Sequence, residues 1–318
     1  MISLANIPAS VYKALIVLAA AIWGFSFVVM KDVVAVMPPA WLLGIRFLIA
    51  AVILLVVLHR RVRRHFSTRA LGAGLVLGLF DFLGFWTQTI GLQHTTPGIN
   101  AFLTATYCVI VPFAWWLVAR KRPELFHVGA ALIAIGGIWL VSVSASSGAL
   151  TLGIGEGFTL LCAIFFAVHI VFVSRFSQAH DVLTLTVFQF FTEGVLGCCA
   201  GAAFETFPPL SAITPDIAGQ ILFLSIFASV VAFGIQNVSL AYVPPSQAAL
   251  LLSLESVFGV LFSILLYGES LTARLVVGFA LIFVAVLVNE VVGPRLQAKR
   301  AIVAFGRKKW DEKDGPHV

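Results

Sequence analysis

Charge is what this sequence has least of. Only 11% of its 318 residues are Asp, Glu, Lys or Arg, where a soluble domain carries roughly 25%. A soluble fold of this length needs charge over its whole surface, but here the charges gather in a few short stretches; water is therefore not the main solvent, and those stretches are loops. Cysteine is scarce too. Cys108, Cys162, Cys198 and Cys199 fall inside apolar stretches without metal-ligand spacing or His partners, so they read as small packing residues. The short motifs of catalysis are also missing: there is no His-Glu-x-x-His site, no Gly-x-Ser-x-Gly elbow and no glycine-rich phosphate loop, which argues against a membrane enzyme and against any cofactor.

What the chain does have is apolar length, with 60% of its residues hydrophobic. Segments long enough to cross roughly 30 Å of hydrocarbon, at about 1.5 Å per residue, recur from end to end. They run over 13–35, 38–58, 70–94, 96–119, 126–145, 154–176, 182–203, 216–242, 244–267 and 274–293. Barrel strands would be about ten residues of alternating polarity, whereas these are long, continuous and rich in Leu, Ala and Gly. The expected class is therefore an all-α membrane protein with ten transmembrane helices. No basic run precedes the first segment, and Trp23 to Met30 carry it to spanning length, so we expect it to be a retained helix rather than a cleaved signal.

Lys and Arg in short loops are held on the cytoplasmic side. Lys13, the cluster Arg60 to Arg69, Arg120 to Arg122, Arg175 and the tail from Arg295 onward collect on one side, leaving Lys31 and Arg274 on the other. Both termini are then expected in the cytoplasm. The basic tail 294–318, with Arg307, Lys308 and Lys309, is accounted for by orientation alone.

An internal repeat organises the spans. Shifting the sequence by 148 places Phe85, Gln88, Leu92, Pro97, Ala101 and Val109 on Phe233, Gln236, Leu240, Pro245, Ala249 and Val257. Nearby shifts set Arg46-Phe47 on Gln189-Phe190 and Gly129-Ala-Ala-Leu-Ile on Gly278-Phe-Ala-Leu-Ile. Five helices per half is an odd number, so the second half enters the membrane from the opposite side and the repeat is inverted. The expected organisation is a first repeat over 1–148, a second over 149–293 and the tail 294–318, forming one structural unit.

Several segments within this frame resemble the EamA-type branch of the drug/metabolite transporter superfamily. They are Trp23-Gly-Phe-Ser-Phe-Val-Val-Met-Lys31, Arg46-Phe47, the stretch from Gly91 through Thr95-Thr-Pro-Gly98 to Leu103, Gly155-Glu156-Gly157, Leu254-Glu255-Ser-Val-Phe258 and Tyr267-Gly-Glu-Ser-Leu-Thr272. The resemblance covers residues 15–293. Two positions depart from it: Ser256 stands where Pro is common, and Arg120-Lys-Arg-Pro replaces a Gly-Glu turn at the end of the fourth helix. The resemblance implies a secondary transporter in the inner membrane of a bacterium, binding its solute near the bilayer centre between the halves. Many relatives export amino acids or other metabolites.

Ionisable groups at midspan are costly and usually face a bundle interior or a wet cavity. Asp81, Glu193 and Glu255 lie near the middle of their segments. Helical spacing puts Asp81, Phe85 and Gln88 on one face, with Ser229, Phe233 and Gln236 as repeat mates; Asn100, Thr104 and Tyr107 share another, and Tyr107 is the mate of Glu255. Trp23 and His169 are deep enough to join them. We therefore expect a central substrate site from Trp23, Asp81, Phe85, Gln88, Asn100, Thr104, Tyr107, His169, Phe233, Gln236 and Glu255. Arg46, the one basic residue well inside a span, and Glu193 are read as structural or coupling residues. Polar side chains in membrane helices also serve simply to bond neighbouring helices, and that reading stands beside the cavity for the glutamines and Arg46.

The expected function is outward transport of a small amphipathic or zwitterionic metabolite by alternating access, with the bilayer as partner, protons as a further coupling partner and no role for nucleic acid. Sugar-phosphate or nucleotide-sugar exchange is the neighbouring alternative, though phosphate normally recruits several basic residues. A pore-like facilitator is the other.

Overall fold

Short polar side chains fix where the helices begin. Ser67, Thr96, Asp181, Thr214 and Thr272 each accept a hydrogen bond from the backbone N–H three residues on, and Pro39, Pro97 and Pro215 sit in first turns, where their missing N–H costs nothing. The computed structural model describes residues 8–120, 122–142, 153–239, 251–293 and 295, and among them there is no strand. The helices are α1 (Ala9–Val33), α2 (Pro39–His65), α3 (Thr68–His94), α4 (Pro97–Thr104), α5 (Tyr107–Ala119), α6 (Leu125–Ser142), α7 (Ile154–Phe176), α8 (Val182–Phe204), α9 (Pro215–Phe223), α10 (Ala232–Ser239), α11 (Leu254–Tyr267) and α12 (Ala273–Leu287). A wide π-type segment, Leu224–Val231, joins α9 to α10, and another, Val288–Val292, follows α12.

Among the described residues the regular structure is thus all helical, and seven helical stretches are long and apolar enough to cross a membrane, among them Pro97–Val118 and Pro215–Gln236. Three shorter apolar helices, Leu125–Val141, Leu254–Tyr267 and Ala273–Leu287, occupy the remaining expected positions. Parts of the expected spans 126–145, 216–242 and 244–267 lie outside the described residues, as do Pro245, Ala249 and all of the basic tail except Arg295.

The fourth expected span is not one helix. Ala105 and Thr106 form a turn between α4 and α5, and Ser253 is likewise a turn residue between helical 251–252 and α11. Pro112 suggests a kink further along α5. Its ring takes away the backbone donor that would meet the Cys108 carbonyl four residues back, and that carbonyl instead accepts 2.9 Å from Asn289 Nδ2. At the break, the Thr106 hydroxyl donates back to the Leu103 carbonyl at 2.6 Å, competing for the helical acceptor.

The helices pair across the molecule. In the order of the ten apolar stretches, the second packs on the seventh (α2 on α8), the third on the sixth (α3 on α7), the fifth on the tenth (α6 on α12) and the fourth on the ninth (α4 on α11). The first packs on the ninth and eighth (α1 on α11 and α10), and the fourth on the sixth (α4 and α5 on α7). Where α2 crosses α8 the backbones nearly touch: a Cβ on Gly44 would lie 2.7 Å from the Cys198 amide nitrogen. Gly74 and Gly78 give α3 the same close approach to Phe188 and Thr192 of α8.

Candidate functional site

A cavity of about 670 Å³ occupies the centre of the bundle. Trp23, Phe85, Phe166 and Phe233 give it aromatic walls, and Tyr107 and Glu255 meet on its surface, the phenol donating to Glu255 Oε1 at 3.5 Å. These walls are interlocked edge to face, Trp23 with Phe233 at 5.3 Å between centroids and Phe85 with Phe166 at 5.0 Å. Trp23 is anchored by its indole N–H, which donates to the Ala228 carbonyl at 2.8 Å. Ala228 belongs to the wide segment Leu224–Val231, and such segments recur at functional sites because they free backbone groups and re-aim side chains.

Of the thirteen residues singled out from sequence, Trp23, Asp81, Phe85, Gln88, Thr104, Tyr107, His169, Phe233, Gln236 and Glu255 line the cavity, and so does Arg46. Asn100 does not. It lies fully buried one turn from Thr104 and donates to the Gln88 carbonyl at 3.2 Å and to Thr159 Oγ1 at 2.7 Å, so it ties α4 to α3 and α7. Glu193 is also away from the cavity surface, fully buried behind Asp81. Gln88 does both of the jobs considered for it: it lines the cavity and donates to Thr104 Oγ1 at 3.1 Å.

The polar groups gather on one flank. Gln189 donates to Asp81 Oδ2 at 2.5 Å, and its own carbonyl lies 3.3 Å from His169 Nε2. The other His169 nitrogen stands 3.7 Å from Asp81 Oδ1. Arg46, 1% exposed, donates through Nε to Ser229 Oγ at 2.8 Å and lies over the rings of Phe47 and Phe85 at 4.9 and 5.1 Å. No carboxylate oxygen among the described residues comes within ion-pair distance of its guanidinium, which leaves part of that planar donor set facing the cavity. Gln189 and Phe166 escaped the sequence reading. Gln189 was within reach of it, being the repeat mate of Arg46 and one helical turn from Glu193; nothing in the pattern distinguishes Phe166 from the phenylalanines that face lipid.

The cavity runs toward the end of the bundle holding the α7–α8 connection, where Ser174, Ser177 and Val182 complete its wall. At that rim Arg61 pairs with Asp181 at 2.6 Å. Burial pushes the Asp181 carboxyl up, but bonds from Arg61 and from the Thr184 hydroxyl and amide outweigh it and hold the group at about 2. The opposite end is sealed. Lys31 donates to the carbonyls of Leu92, Gln93 and Thr95 at 2.5, 3.1 and 2.8 Å, closing the C-terminus of α3, where a cation is favoured. Glu269 meets the N-terminus of α4, accepting from Thr96 Oγ1 at 2.6 Å, the Gly98 amide at 3.2 Å and Ser263 Oγ at 2.5 Å. Tyr267 adds a bond to Asp32 at 2.7 Å, and Thr95 one to Glu156 at 3.2 Å.

The chain is similar to known proteins along nearly its whole length. The profile of the EamA-like transporter family matches residues 12–143 and again 153–290. An uncharacterized transporter of Archaeoglobus fulgidus is 32% identical over 272 residues, covering 85% of this chain and 83% of that protein. A probable amino-acid metabolite efflux pump of Salmonella typhimurium is 28% identical over 287 residues, covering 86% and 93%. A solved crystal structure shares the fold alone, with a TM-score of 0.63 at 17% identity over 89% of this chain and 98% of its own. An all-helical bundle of membrane-spanning length, matched by one family in both halves, belongs to the EamA-like transporter family and is an integral membrane transporter.

Proposed function

We propose that this protein is a secondary transporter that exports a small zwitterionic or amphipathic, amino-acid-like metabolite by alternating access. The observation that carries the reading is the central cavity, where one cation, Arg46, and two carboxylates, Asp81 and Glu255, are set among aromatic walls. Arg46 suits a carboxylate, Asp81 or Glu255 an ammonium, and the rings an apolar side chain. The Salmonella relative's description as an amino-acid metabolite efflux pump agrees with that chemistry. Among the described residues Arg46 is the only Lys or Arg lining the cavity, which speaks against sugar phosphates and nucleotide sugars.

The machinery we propose is ten spans in two inverted repeats, over 1–148 and 149–293. Three observations support it. The family profile matches each half separately. The helix pairing is unchanged when each stretch is exchanged for the one five places on: second with seventh, fifth with tenth and fourth with ninth map onto themselves, while third–sixth exchanges with eighth–first and first–ninth with sixth–fourth. Finally, the breaks at Ala105 and Ser253 are themselves 148 apart, so Tyr107 and Glu255 each stand two residues beyond a broken turn, as in transporters whose discontinuous helices frame the solute.

With the basic loops inside, both termini are cytoplasmic, the cavity is open to the cytoplasm and the Lys31–Glu269 end is the closed outer gate. The membrane we assign is a bacterial inner membrane. The test is an uptake and counterflow screen in liposomes over amino acids, amines, nucleosides and sugar phosphates, repeated with Glu255→Gln and Tyr107→Ala. Saturable counterflow of a zwitterion, weakened at least about tenfold in both variants, is the expected result. Unchanged transport in both removes the site, and flux without counterflow points to a pore.

A further inference from the structure

A second cavity, of about 520 Å³, lies at the sealed end of the bundle, where α1 and α11 finish and α9 begins. It is separate from the central chamber, and α1 stands between them. Trp23, Phe27 and Met30 of that helix line the central cavity, whereas Phe25, Val28 and Asp32, on another face, line this one. From α9 come Asp216, Gln220 and Phe223, which share one face by their spacing, and from α11 comes Tyr267. In both α1 and α9 the phenylalanine lies seven residues, about 10 Å, deeper than the aspartate. The two rings meet edge to face at 5.3 Å between centroids, so the cavity has an aromatic floor and an acidic rim.

The rim is supplied with acceptors and short of donors. Asp32 Oδ1 accepts from the Tyr267 hydroxyl at 2.7 Å, and Asp216 Oδ2 accepts from Gln220 Nε2 at 3.0 Å. Each carboxylate keeps a second oxygen for an occupant. The Gln220 carbonyl oxygen is itself buried with no donor to meet it among the described residues. No Lys or Arg among those residues lines the cavity; Lys31, next to Asp32 in sequence, is committed to the carbonyls at the end of α3. Two of the three helices reach the rim with their C-termini, the ends that favour a cation, and α9 carries Asp216 in its first turn.

This chemistry selects among positively charged occupants. A calcium ion takes roughly six to eight oxygen ligands and gains nothing from phenylalanine rings. A phospholipid headgroup would bring its phosphate against two carboxylates with no basic residue to receive it. An ammonium group on an apolar or aromatic body matches both ends of the cavity.

We propose that this cavity is a second ligand site, which takes an amphiphilic organic amine with its ammonium at Asp32, Asp216 and the Gln220 carbonyl and its apolar body on Phe25 and Phe223. The site is independent of the solute that the central cavity carries. An occupant ties α1 to α9 across the sealed end.

Protection of an introduced cysteine tests the site. Gly219 lines the cavity on α9, and a Cβ there meets open space, so Gly219→Cys fits without displacing a neighbour. The four native cysteines are replaced by serine and the protein is held in phosphatidylglycerol nanodiscs. Monodansylcadaverine, an aromatic fluorophore on a primary ammonium, is expected to slow maleimide labelling of Gly219→Cys at least about fivefold. Its N-acetyl derivative, which keeps the fluorophore and loses the charge, is expected to leave the rate unchanged. Asp32→Asn combined with Asp216→Asn should abolish the protection while the rate without amine stays the same, and Tyr107→Ala, in the central cavity, should retain it. Equal protection by the N-acetyl derivative, or protection that survives in the double variant, overturns the proposal. Loss of protection in Tyr107→Ala also overturns it, by assigning the effect to the central cavity. Slowing by calcium chloride alone would replace the amine with a divalent cation, and slowing when phosphatidylethanolamine is added to the nanodisc would replace it with a lipid headgroup. A second measurement needs no cysteine: the dansyl emission shift, titrated in the Tyr107→Ala background, should lose its saturable part with the two aspartate replacements, and an unchanged titration refutes the site.

Discussion

Replacing Glu269 with Ala should open the sealed end of the cavity. Glu269 is half-buried and accepts three hydrogen bonds: those from the Thr96 hydroxyl and the Gly98 amide draw the loop before α12 onto the start of α4, and that from the Ser263 hydroxyl holds the loop to the end of α11. Bonds to a charged acceptor contribute about 1.5–3 kcal/mol each when buried, and a carboxylate at a helix N-terminus adds about 0.3–1 kcal/mol. Taking the low end for the two bonds that reach α4, because the site is only partly buried, and allowing water to recover half of it, leaves about 1.5–2 kcal/mol, or a shift of roughly 10- to 30-fold in the ratio of open to sealed states. The assay is modification of Thr104→Cys, a cavity position, by a membrane-impermeant maleimide added from the Lys31 side, with the four native cysteines replaced by serine. Labelling should rise by at least about tenfold in Glu269→Ala. Thr272→Ala, which removes only the cap of α12, should leave it unchanged. Equal labelling in a protein of unaltered thermal stability would mean that Glu269 merely caps a helix, and the account of the seal would fall.

Gly44→Val would drive a side chain into the Cys198 amide, 2.7 Å from where its Cβ must lie, and is expected to cost about 3 kcal/mol, seen as a lowered thermal midpoint and poor yield in detergent. Asn289→Leu removes a donor to the Cys108 carbonyl, whose helical donor Pro112 has already taken away; a loss of about 1–2 kcal/mol is expected, and none if water reaches that carbonyl. The Asp181 carboxyl lies below its ordinary value, so the stability it contributes is present above pH 3.8 and disappears as the pH falls toward 2. Because Arg61 is half exposed, that contribution is only about 0.5 kcal/mol, and the gap in thermal midpoint between the parent protein and Arg61→Ala should be small at neutral pH and close on acidification.

Hydropathy made the helices readable because each must satisfy its own backbone in lipid, and the apolar residues that achieve this run without interruption. Their start points are set by Thr96, Asp181 and Thr272, short side chains that meet the first free amides and that apolar length alone does not single out. The break at Ala105 was not readable either. Pro112 carries the visible signal, whereas the turn arises seven residues earlier from competition for backbone acceptors. Asn100 stands off the cavity for another reason: helical spacing put it on the face of Thr104 and Tyr107, but Thr159 and the Gln88 carbonyl take its donors. Contacts such as Glu269 on Gly98 or Lys31 on the end of α3 join residues far apart in sequence, and no local pattern announces them. The residues singled out from sequence make up less than half of the cavity wall; the 148-residue register pointed to Phe85, Gln88, Tyr107, Phe233, Gln236 and Glu255 in both halves at once, while the apolar remainder of the wall looks in sequence like any lipid-facing stretch.

The wide segment Leu224–Val231 holds Trp23 through the Ala228 carbonyl and Arg46 through Ser229. A turn of this kind carries a surplus residue relative to an α-helix, and absorbing it would rotate everything beyond by about 100° about the helix axis. Phe233 and Gln236 would swing off the cavity wall in one motion, and Trp23 and Arg46 would lose their anchors together. The segment thus acts as a screw thread: a one-residue change of pitch, with no helix unfolding, is enough to rebuild one whole side of the chamber.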